Sequence, residues 1–250
     1  MKALLFAAGR GERMRPLTDT TPKPLLAAGG KRLIEWHMER LATSGIREVV
    51  INIAHLADQF PEALGDGSRY GLRIQYSREG DVPLETGGGM LHALPLLGDA
   101  PFLAINADTF TDFDFAALPR EPHGVAELVL VDNPPQHPQG DFGIGADGKL
   151  LQRADSPGTA HALTFAGIGV YRPDILRGWR SIIGDVPGAR ETPPRFPLTP
   201  LLRAAIARYE IAWLHHQGFW TDVGTPERLA ALDARLKEQH LPRINADSRG

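Results

Sequence analysis

Residues 3–11 read ALLFAAGRG, so an unbroken apolar run, Ala3–Ala8, leads directly into a glycine-rich loop. A continuous apolar run is typical of a strand that is covered on both faces, as in a parallel sheet. Glycines at the carboxyl end of such a strand let backbone N–H groups approach a phosphate closely. The segment therefore predicts an α/β fold with a ligand site just beyond its first strand.

The rest of the first half alternates strand and helix patterns. Further apolar strands are predicted over Val49–Ile53, Leu72–Tyr76 and Phe102–Ile105. Helices are predicted over Leu33–Leu41, which Gly45 follows as a stop signal, and over Ala57–Leu64 and Thr86–Leu97. Strands and helices that alternate at this spacing form βαβ units. We therefore expect a Rossmann-like, mostly parallel central sheet flanked by helices.

The second half is less regular. Strands are predicted over Val125–Val131, Thr164–Tyr171 and Ile211–Leu214, with two short ones inside Asp141–Leu151. Helices are predicted over Thr199–Arg208 and Pro226–Leu236, and the proline-rich stretch 184–197 is expected to be a loop. The pattern favours one α/β domain with a small β-rich insertion near residues 133–165.

Composition excludes several classes of protein. The 250 residues carry 27 basic and 30 acidic side chains, a net charge of -3, so we expect no non-specific nucleic-acid or membrane partner. There is no cysteine, which excludes disulfides, thiolate metal sites and cysteine nucleophiles. No apolar run is long enough for a membrane span, and Arg10 interrupts the N-terminal one too early for a signal peptide. We expect a cytoplasmic protein.

Cations crowd the first loop. Arg10, Arg13 and Arg15 follow the glycines, and Lys23 stands between two prolines that restrict its backbone. A Walker A loop would need Gly-Lys-Ser/Thr, and a dinucleotide fingerprint would need a third glycine where Met14 stands. From the residues alone, the loop is either a polyphosphate site or a solvated basic loop with structural prolines.

Two aspartates end distant apolar segments. Asp108 follows the strand Phe102–Ile105, and Asp222 precedes a helix that begins near Pro226. Carboxylates from distant segments suit Mg²⁺, which often takes one or two of them together with substrate phosphates. Each aspartate alone would equally suit a turn or a helix cap.

Four motifs together resemble those of the sugar-1-phosphate nucleotidyltransferases. Residues 9–18 read GRGERMRPLT and residues 21–25 read TPKPL, which is similar to the signature of that family. The segments LETGGG (84–89), NAD (106–108) and WTDVGT (220–225) resemble its base-contacting, metal-binding and C-terminal motifs. The resemblance implies one domain over residues 1–250, with a nucleotide-binding half of about 1–110 and a sugar-binding half of about 111–240.

The resemblance also implies a reaction and roles. A sugar 1-phosphate would attack the α-phosphorus of a nucleoside triphosphate and release pyrophosphate, with Mg²⁺ as cofactor. The expected catalytic residues are Arg15 for the leaving pyrophosphate, with Arg13 assisting, then Lys23, and the metal ligands Asp108 and Asp222. Nucleotide contacts are expected from Ala8, Gly9, Gly11, Glu12, Arg13, Lys23, Glu85, Gly87 and Gly88. Sugar contacts are expected from Asn106, Asp141, Arg153, Phe165 and Gly167.

One departure from the family concerns Arg153. Many members carry Glu-Xaa-Lys-Pro after the insertion strand, with the lysine on the sugar phosphate. Residues 152–157 read QRADSP here, so that lysine is missing. Arg153 is expected to substitute for it, or the phosphate relies on Lys23 and the metal.

Within the family, the ETGGG form, the GDF triplet at 140–142 and the short chain are most similar to members that transfer UMP from UTP to N-acetylmuramate 1-phosphate in peptidoglycan recycling. The alternatives are guanylyl or thymidylyl transfer to a heptose or hexose 1-phosphate, and a catalytically silent regulatory relative. Retention of Arg15, Lys23, Asp108 and Asp222 speaks against a silent relative. A monomer is expected.

Overall fold

The structure, a computed structural model, describes residues 1–240. The last ten residues of the predicted domain 1–250 lie outside the described part. The strands are β1 (Lys2–Phe6), β2 (Ala27–Ala28), β3 (Lys31–Arg32), β4 (Glu48–Ile53), β5 (Arg73–Arg78), β6 (Phe102–Asn106), β7 (Thr109–Thr111), β8 (Ala126–Val131), β9 (Phe142–Gly145), β10 (Leu150–Leu151), β11 (Thr159–Tyr171), β12 (Ile211–His216) and β13 (Trp220–Asp222). The helices are α1 (Leu33–Thr43), α2 (Gln59–Leu64), α3 (Glu85–Leu97), α4 (Trp179–Ile183), α5 (Thr199–Ala207) and α6 (Pro226–His240).

A nine-stranded sheet forms the centre of the molecule. Strands β5, β4, β1 and β6 lie side by side and are parallel. Strand β11 runs antiparallel to β6, and β8 and β12 continue the sheet beyond the other edge of β11. Strands β9 and β10 extend from the amino-terminal half of β11. Only β10 and β11 of this sheet run against the common direction, which confirms the predicted mostly parallel α/β class.

Both faces of β1 are covered, as its unbroken apolar sequence predicts. Leu5 packs into the core on the side of α1 and α2, whereas Leu4 packs into the core on the side of α3, α4 and α5. Both side chains are completely buried. Because β1 is central and held on both faces, the loop that follows it has a fixed origin. No helix within residues 1–240 is both long and apolar enough to cross a membrane.

Several elements differ from the sequence-based expectation: the short strands β2, β3, β7 and β13 were not predicted, and β11 and α4 differ as follows. Strand β11 begins at Thr159 rather than at Thr164, because β9 supplies hydrogen-bond partners for its amino-terminal half. Helix α4 was not predicted, since five residues are too few for a helical period to show. The stretch 184–197 has neither helix nor strand, as expected, but its Phe196 is completely buried.

A buried histidine links α1 to β7. His37 is 1% exposed, and its Nε2 lies 2.7 Å from the carbonyl oxygen of Thr109. Nδ1 has no hydrogen-bond partner among the described residues. Burial disfavours the imidazolium and lowers the pKa of His37 to about 4.

This pKa predicts acid-dependent stability. In the unfolded chain the pKa of histidine is near its usual value, so the unfolded state binds more protons between about pH 6.5 and pH 4. The stabilisation is complete above that window, and about 3 kcal/mol of it is lost as pH falls to 4. Urea unfolding between pH 7.5 and pH 4.5 measures this loss. The loss should persist in His161→Gln, which changes an exposed histidine. A free energy of unfolding that stays constant over this range would contradict the prediction.

Candidate active site

A cleft of about 470 Å³ opens where the parallel strands end. The carboxyl ends of parallel strands meet at one edge of a sheet, where open α/β sheets bind ligands. The end of β4 contributes Asn52, and the end of β6 contributes Asn106 and Asp108. The predicted nucleotide contacts that line the cleft are Ala8, Gly9, Gly11, Glu12, Arg13, Lys23 and Glu85.

The first loop needs glycine at Gly11. Its φ of 64° lies in the left-handed region, and its carbonyl accepts hydrogen bonds from the Met14 N–H (2.8 Å) and the Thr18 hydroxyl (2.9 Å). A Cβ at this position would lie 2.9 Å from Cγ2 of Thr18 and 3.2 Å from Cβ of Lys23. The close packing holds the loop and the lysine together.

Lys23 is fixed at the floor of the cleft. Residues Lys23–Leu25 form a single 3₁₀ turn, and Pro22 is its N-cap residue. Lys23 is only 7% exposed. Its Nζ lies 2.5 Å from Oδ2 of Asp108. A buried ammonium with a carboxylate partner keeps its charge in place inside the cleft.

The backbone brings the two predicted aspartates together. Strand β13 pairs antiparallel with β7, so that Asp222 lies opposite Thr109, and the Val223 N–H donates to the Asp108 carbonyl (2.8 Å). The Oδ1 atom of Asp222 accepts from Gln136 Nε2 (2.8 Å) and from Arg228 Nη1 (2.7 Å). The two segments are far apart in sequence and adjacent in space.

These carboxylates fit a cation that is shared with a ligand. Within residues 1–240, no group of three or more histidine, aspartate or glutamate side chains converges on one point. A complete protein cage is therefore not built there. Asp108 lines the cleft and Asp222 lines the adjoining cavity, and two neighbouring carboxylates of this kind suit Mg²⁺, which often keeps water and substrate phosphate oxygens as its other ligands.

A buried polar network, which the sequence did not reveal, ties the cleft together. The Ala7 N–H donates to Oδ1 of Asn52 (2.7 Å), and Nδ2 of Asn52 donates to Glu79 (2.6 Å). The other oxygen of Glu79 accepts from the Leu84 N–H (2.7 Å). Burial raises the pKa of the Glu79 carboxyl. The one signal in the sequence is Asn52, a polar residue inside an otherwise apolar strand.

The arginines of the first loop point in different directions. Arg13 lines the cleft and also an adjoining cavity of about 800 Å³, and no hydrogen-bond or ion-pair partner contacts its guanidinium within the described chain. Arg15 lies 3.2 Å from Asp19 with 62% of its side chain exposed, and it lines neither cavity. The structure thus brings Arg13 to the site, and it does not bring Arg15 there.

The predicted glycines at the start of α3 pack against protein. The N–H groups of Gly87 and Gly88 both donate to the Phe196 carbonyl (3.0 Å each), and neither residue lines the cleft. A Cβ on Gly87 would lie 2.6 Å from the Phe196 ring, and one on Gly88 would lie 2.4 Å from the Pro194 carbonyl oxygen. These glycines let the 184–197 segment approach α3.

Two substitutions distinguish a glycine that is needed for close packing, Gly87, from one whose Cβ position is open, Gly9. Gly87→Ala should lower the free energy of unfolding by roughly 1–3 kcal/mol, because its new methyl group overlaps Phe196. Gly9→Ala should leave stability nearly unchanged, since no atom lies within 4 Å of its Cβ position. Urea denaturation of both variants measures the difference. Equal losses of stability would show that our account of Gly87 is wrong.

A smaller cavity of about 190 Å³ adjoins the cleft and shares Asn106 with it. Predicted sugar contacts Asp141, Phe165 and Gly167 line this cavity. Oδ2 of Asp141 accepts from the Phe165 N–H (2.9 Å). Gly167 lies at the bulge of β11 with a φ of 72°, and a Cβ there would lie 2.5 Å from Nδ2 of Asn106. Four of the five predicted sugar contacts therefore come together.

The fifth, Arg153, lies elsewhere. Its Nε donates to Asp155 (3.1 Å), its N–H donates to the Ser156 hydroxyl, and its side chain is exposed and lines neither the cleft nor the smaller cavity. The turn that holds it faces outward. Arg203, on α5, lines the smaller cavity instead. Sequence reasoning missed it, and the only signal was a single cation within the apolar stretch PLLRAAI.

Comparison with known proteins agrees with this geometry. A family model described as nucleotidyl transferase matches residues 2–239. N-acetylmuramate alpha-1-phosphate uridylyltransferase of Neisseria meningitidis serogroup B is 46% identical, over 94% of this chain and 97% of that protein. The Caulobacter vibrioides protein of the same name is 32% identical, over 94% and 97%.

A solved structure shares the fold. It is a Bacillus anthracis protein described as a candidate glucose-1-phosphate thymidylyltransferase, in complex with sucrose. The TM-score is 0.77 at 20% identity, with 95% of this chain and 96% of that chain covered. The family model and the two relatives extend over nearly the whole described chain, so this protein belongs to the nucleotidyl transferase family.

Proposed function

We propose that this protein transfers UMP from UTP to N-acetylmuramate α-1-phosphate and releases pyrophosphate. The two relatives named N-acetylmuramate alpha-1-phosphate uridylyltransferase match this chain along nearly their whole length and support this choice of substrates. The observation that carries the proposal is the pairing of β7 with β13. This pairing sets Asp222, which lines the adjoining cavity, next to Asp108, which lines the cleft and forms an ion pair with the buried Lys23.

The reaction is an in-line displacement at phosphorus. An oxygen of the sugar 1-phosphate attacks the α-phosphorus of UTP, the bond from that phosphorus to the β-phosphate bridging oxygen breaks, and pyrophosphate leaves. Such a transfer depends mainly on positioning and charge stabilisation. Lys23, already fixed in the cleft, supplies a cation to the phosphates, and backbone N–H groups of the Ala8–Gly11 loop supply donors.

Arg13 is the cation best placed for the leaving pyrophosphate. It lines the cleft and the adjoining cavity, and within the described residues no protein group already pairs with it. Arg15 is engaged with Asp19 on the outside of the loop. We therefore assign to Arg13, for which the motif suggested an assisting role, the main role that the motif suggested for Arg15.

Asp108 and Asp222 are the proposed holders of Mg²⁺. When bound, the ion would offset the negative charge that develops at the α-phosphorus. Lys23 and Arg228 neutralise the two carboxylates in this structure. These cations reduce the electrostatic repulsion between the two carboxylates before substrates bind.

Pyrophosphate release across a matrix of nucleoside triphosphates and sugar 1-phosphates tests this function. UTP with N-acetylmuramate α-1-phosphate should give the highest kcat/KM, and chelation of Mg²⁺ should stop the reaction. Preferred use of GTP with a heptose 1-phosphate, or of dTTP with a hexose 1-phosphate, would contradict it. Release with no pair would favour a silent regulatory relative. Cytoplasmic location, a monomeric state and a place in peptidoglycan sugar recycling stay predictions from the sequence.

A further inference from the structure

The smaller cavity beside the cleft contains an unneutralised cation. Arg203 projects from α5 into this cavity, and its Nε is buried without a hydrogen-bond partner among the described residues. The guanidinium of Arg203 forms no ion pair with any side chain within residues 1–240. An arginine cannot lose its proton in a protein, so Arg203 stays charged, and the residue as a whole is half-buried. Its Nε is shielded from water and no protein group within the described residues supplies a counter-ion, so the guanidinium is available to a ligand that brings a negative charge into the cavity.

Asp141, the other charged side chain that lines the cavity, does not pair with Arg203. Asp141 directs Oδ2 to the Phe165 N–H, and its Oδ1 lies 3.1 Å from Nε2 of His137. Most of the remaining wall is apolar and comes from Phe6, Ala104, Phe142, Phe165, Tyr171, Leu198 and Leu202. The cavity therefore suits a ligand group that combines an apolar part with one negative charge.

We propose that Arg203 binds the lactyl carboxylate of N-acetylmuramate, an inference that rests on the proposed function. All sugar 1-phosphates carry a phosphate, which belongs in the cleft with Lys23. N-acetylmuramate carries a second anion, because a lactic acid is joined as an ether to O3 of the sugar, and N-acetylglucosamine lacks it. The lactyl methyl group matches the apolar wall, and the carboxylate matches the two-pronged donor geometry of arginine.

The position of the cavity supports this assignment. It shares Phe6, Thr86 and Asn106 with the cleft, so a sugar whose phosphate lies in the cleft has its ring at their junction. Substituents on the far side of the ring then reach α5. Arg203 is thus a specificity-determining residue that distinguishes sugars with a carboxylate from those without one.

The test compares two acceptor sugars with UTP as donor. Arg203→Met should lower kcat/KM for N-acetylmuramate 1-phosphate on the order of 100-fold, the usual cost of truncating one partner of a buried charge pair. It should change kcat/KM for N-acetylglucosamine 1-phosphate by no more than a few-fold. Arg208→Met is the matched control, since Arg208 follows the same helix but pairs with Glu210 at the surface. It should behave like the wild type.

Equal losses on both sugars would overturn the inference, because Arg203 would then act on the shared phosphate or on the fold. Calorimetric binding of the two sugar phosphates to the same proteins gives the comparison without turnover. If Arg203→Met fails to fold, the wild-type enzyme can be assayed with two substrates instead. These are N-acetylmuramate 1-phosphate and its derivative in which the lactyl carboxylic acid is converted to the amide. A loss on the order of 100-fold supports the inference, and equal use of acid and amide overturns it. Wild-type turnover of N-acetylmuramate 1-phosphate reports separately on the proposed function.

Discussion

Asp108→Asn should reduce kcat about a thousand-fold while the fold remains intact. The substitution removes a carboxylate that we assign to Mg²⁺, which contributes several kcal/mol of charge stabilisation in phosphoryl transfer. The fold should survive, because an asparagine oxygen can still accept from Nζ of Lys23. Steady-state kinetics at saturating substrates gives kcat, and urea unfolding gives stability.

Two further variants complete this experiment. Asp222→Asn should cause a similar loss of kcat, since Asp222 lies opposite Thr109 beside Asp108. Asp99→Asn, which changes an exposed residue of a surface loop, should keep full activity. Titration of Mg²⁺ in the presence of UTP should show weaker metal binding in the two site variants only. Full activity of Asp108→Asn would show that our metal assignment is wrong.

Arg13→Met should lower kcat/KM for UTP about 100- to 1,000-fold, and Arg15→Met should lower it less than about ten-fold. The difference follows from the direction of the two side chains. Arg13 faces the cleft without a protein partner in the described chain, whereas Arg15 is exposed and paired with Asp19. Kinetics of the two variants at several UTP concentrations measures the effect.

These two variants serve as each other's control, because each removes one positive charge from the same loop. Their urea denaturation curves should be close to that of the wild type, as both side chains are exposed. If Arg15→Met lost far more activity than Arg13→Met, the loop would have to rearrange when UTP binds, and our assignment of Arg13 would fail.

Local patterns in the sequence were enough to predict the parallel half of the fold. The apolar run Ala3–Ala8 predicted a central strand, and β1 is buried on both faces. Pairing between strands that are far apart in the sequence could not be predicted from these local patterns. The start of β11 at Thr159 depends on β9, and the strand β7 exists only because β13 returns to pair with it. Such contacts join segments whose own sequences carry no sign of each other.

The candidate site divides in a similar way. Ordered motifs predicted Lys23, Asp108 and Asp222, and the structure brings all three together. Motifs could not say which arginine of the first loop turns inward. Residues Glu12–Met14 form a 3₁₀ turn with Met14 buried, so at about three residues per turn Arg13 and Arg15 leave it on different sides.

The sugar side was the least predictable part. Asn106, Asp141, Phe165 and Gly167 do line one cavity, but Arg153 does not. Arg203 was hidden in a helix whose apolar stripe gave no reason to single it out. A lone cation on a helix acquires meaning only when packing shows what surrounds it.

Phosphorus NMR of one reaction mixture shows whether UMP is transferred to the sugar phosphate. With wild-type enzyme, Mg²⁺, UTP and N-acetylmuramate α-1-phosphate, we expect the UTP and sugar phosphate signals to be replaced by those of UDP-N-acetylmuramate and pyrophosphate in equal amounts. Without the sugar phosphate, UTP should stay intact, because no acceptor for the UMP group is then present. Unchanged substrates in the complete mixture, or release of inorganic phosphate in place of pyrophosphate, would show that this protein does not catalyse the proposed transfer.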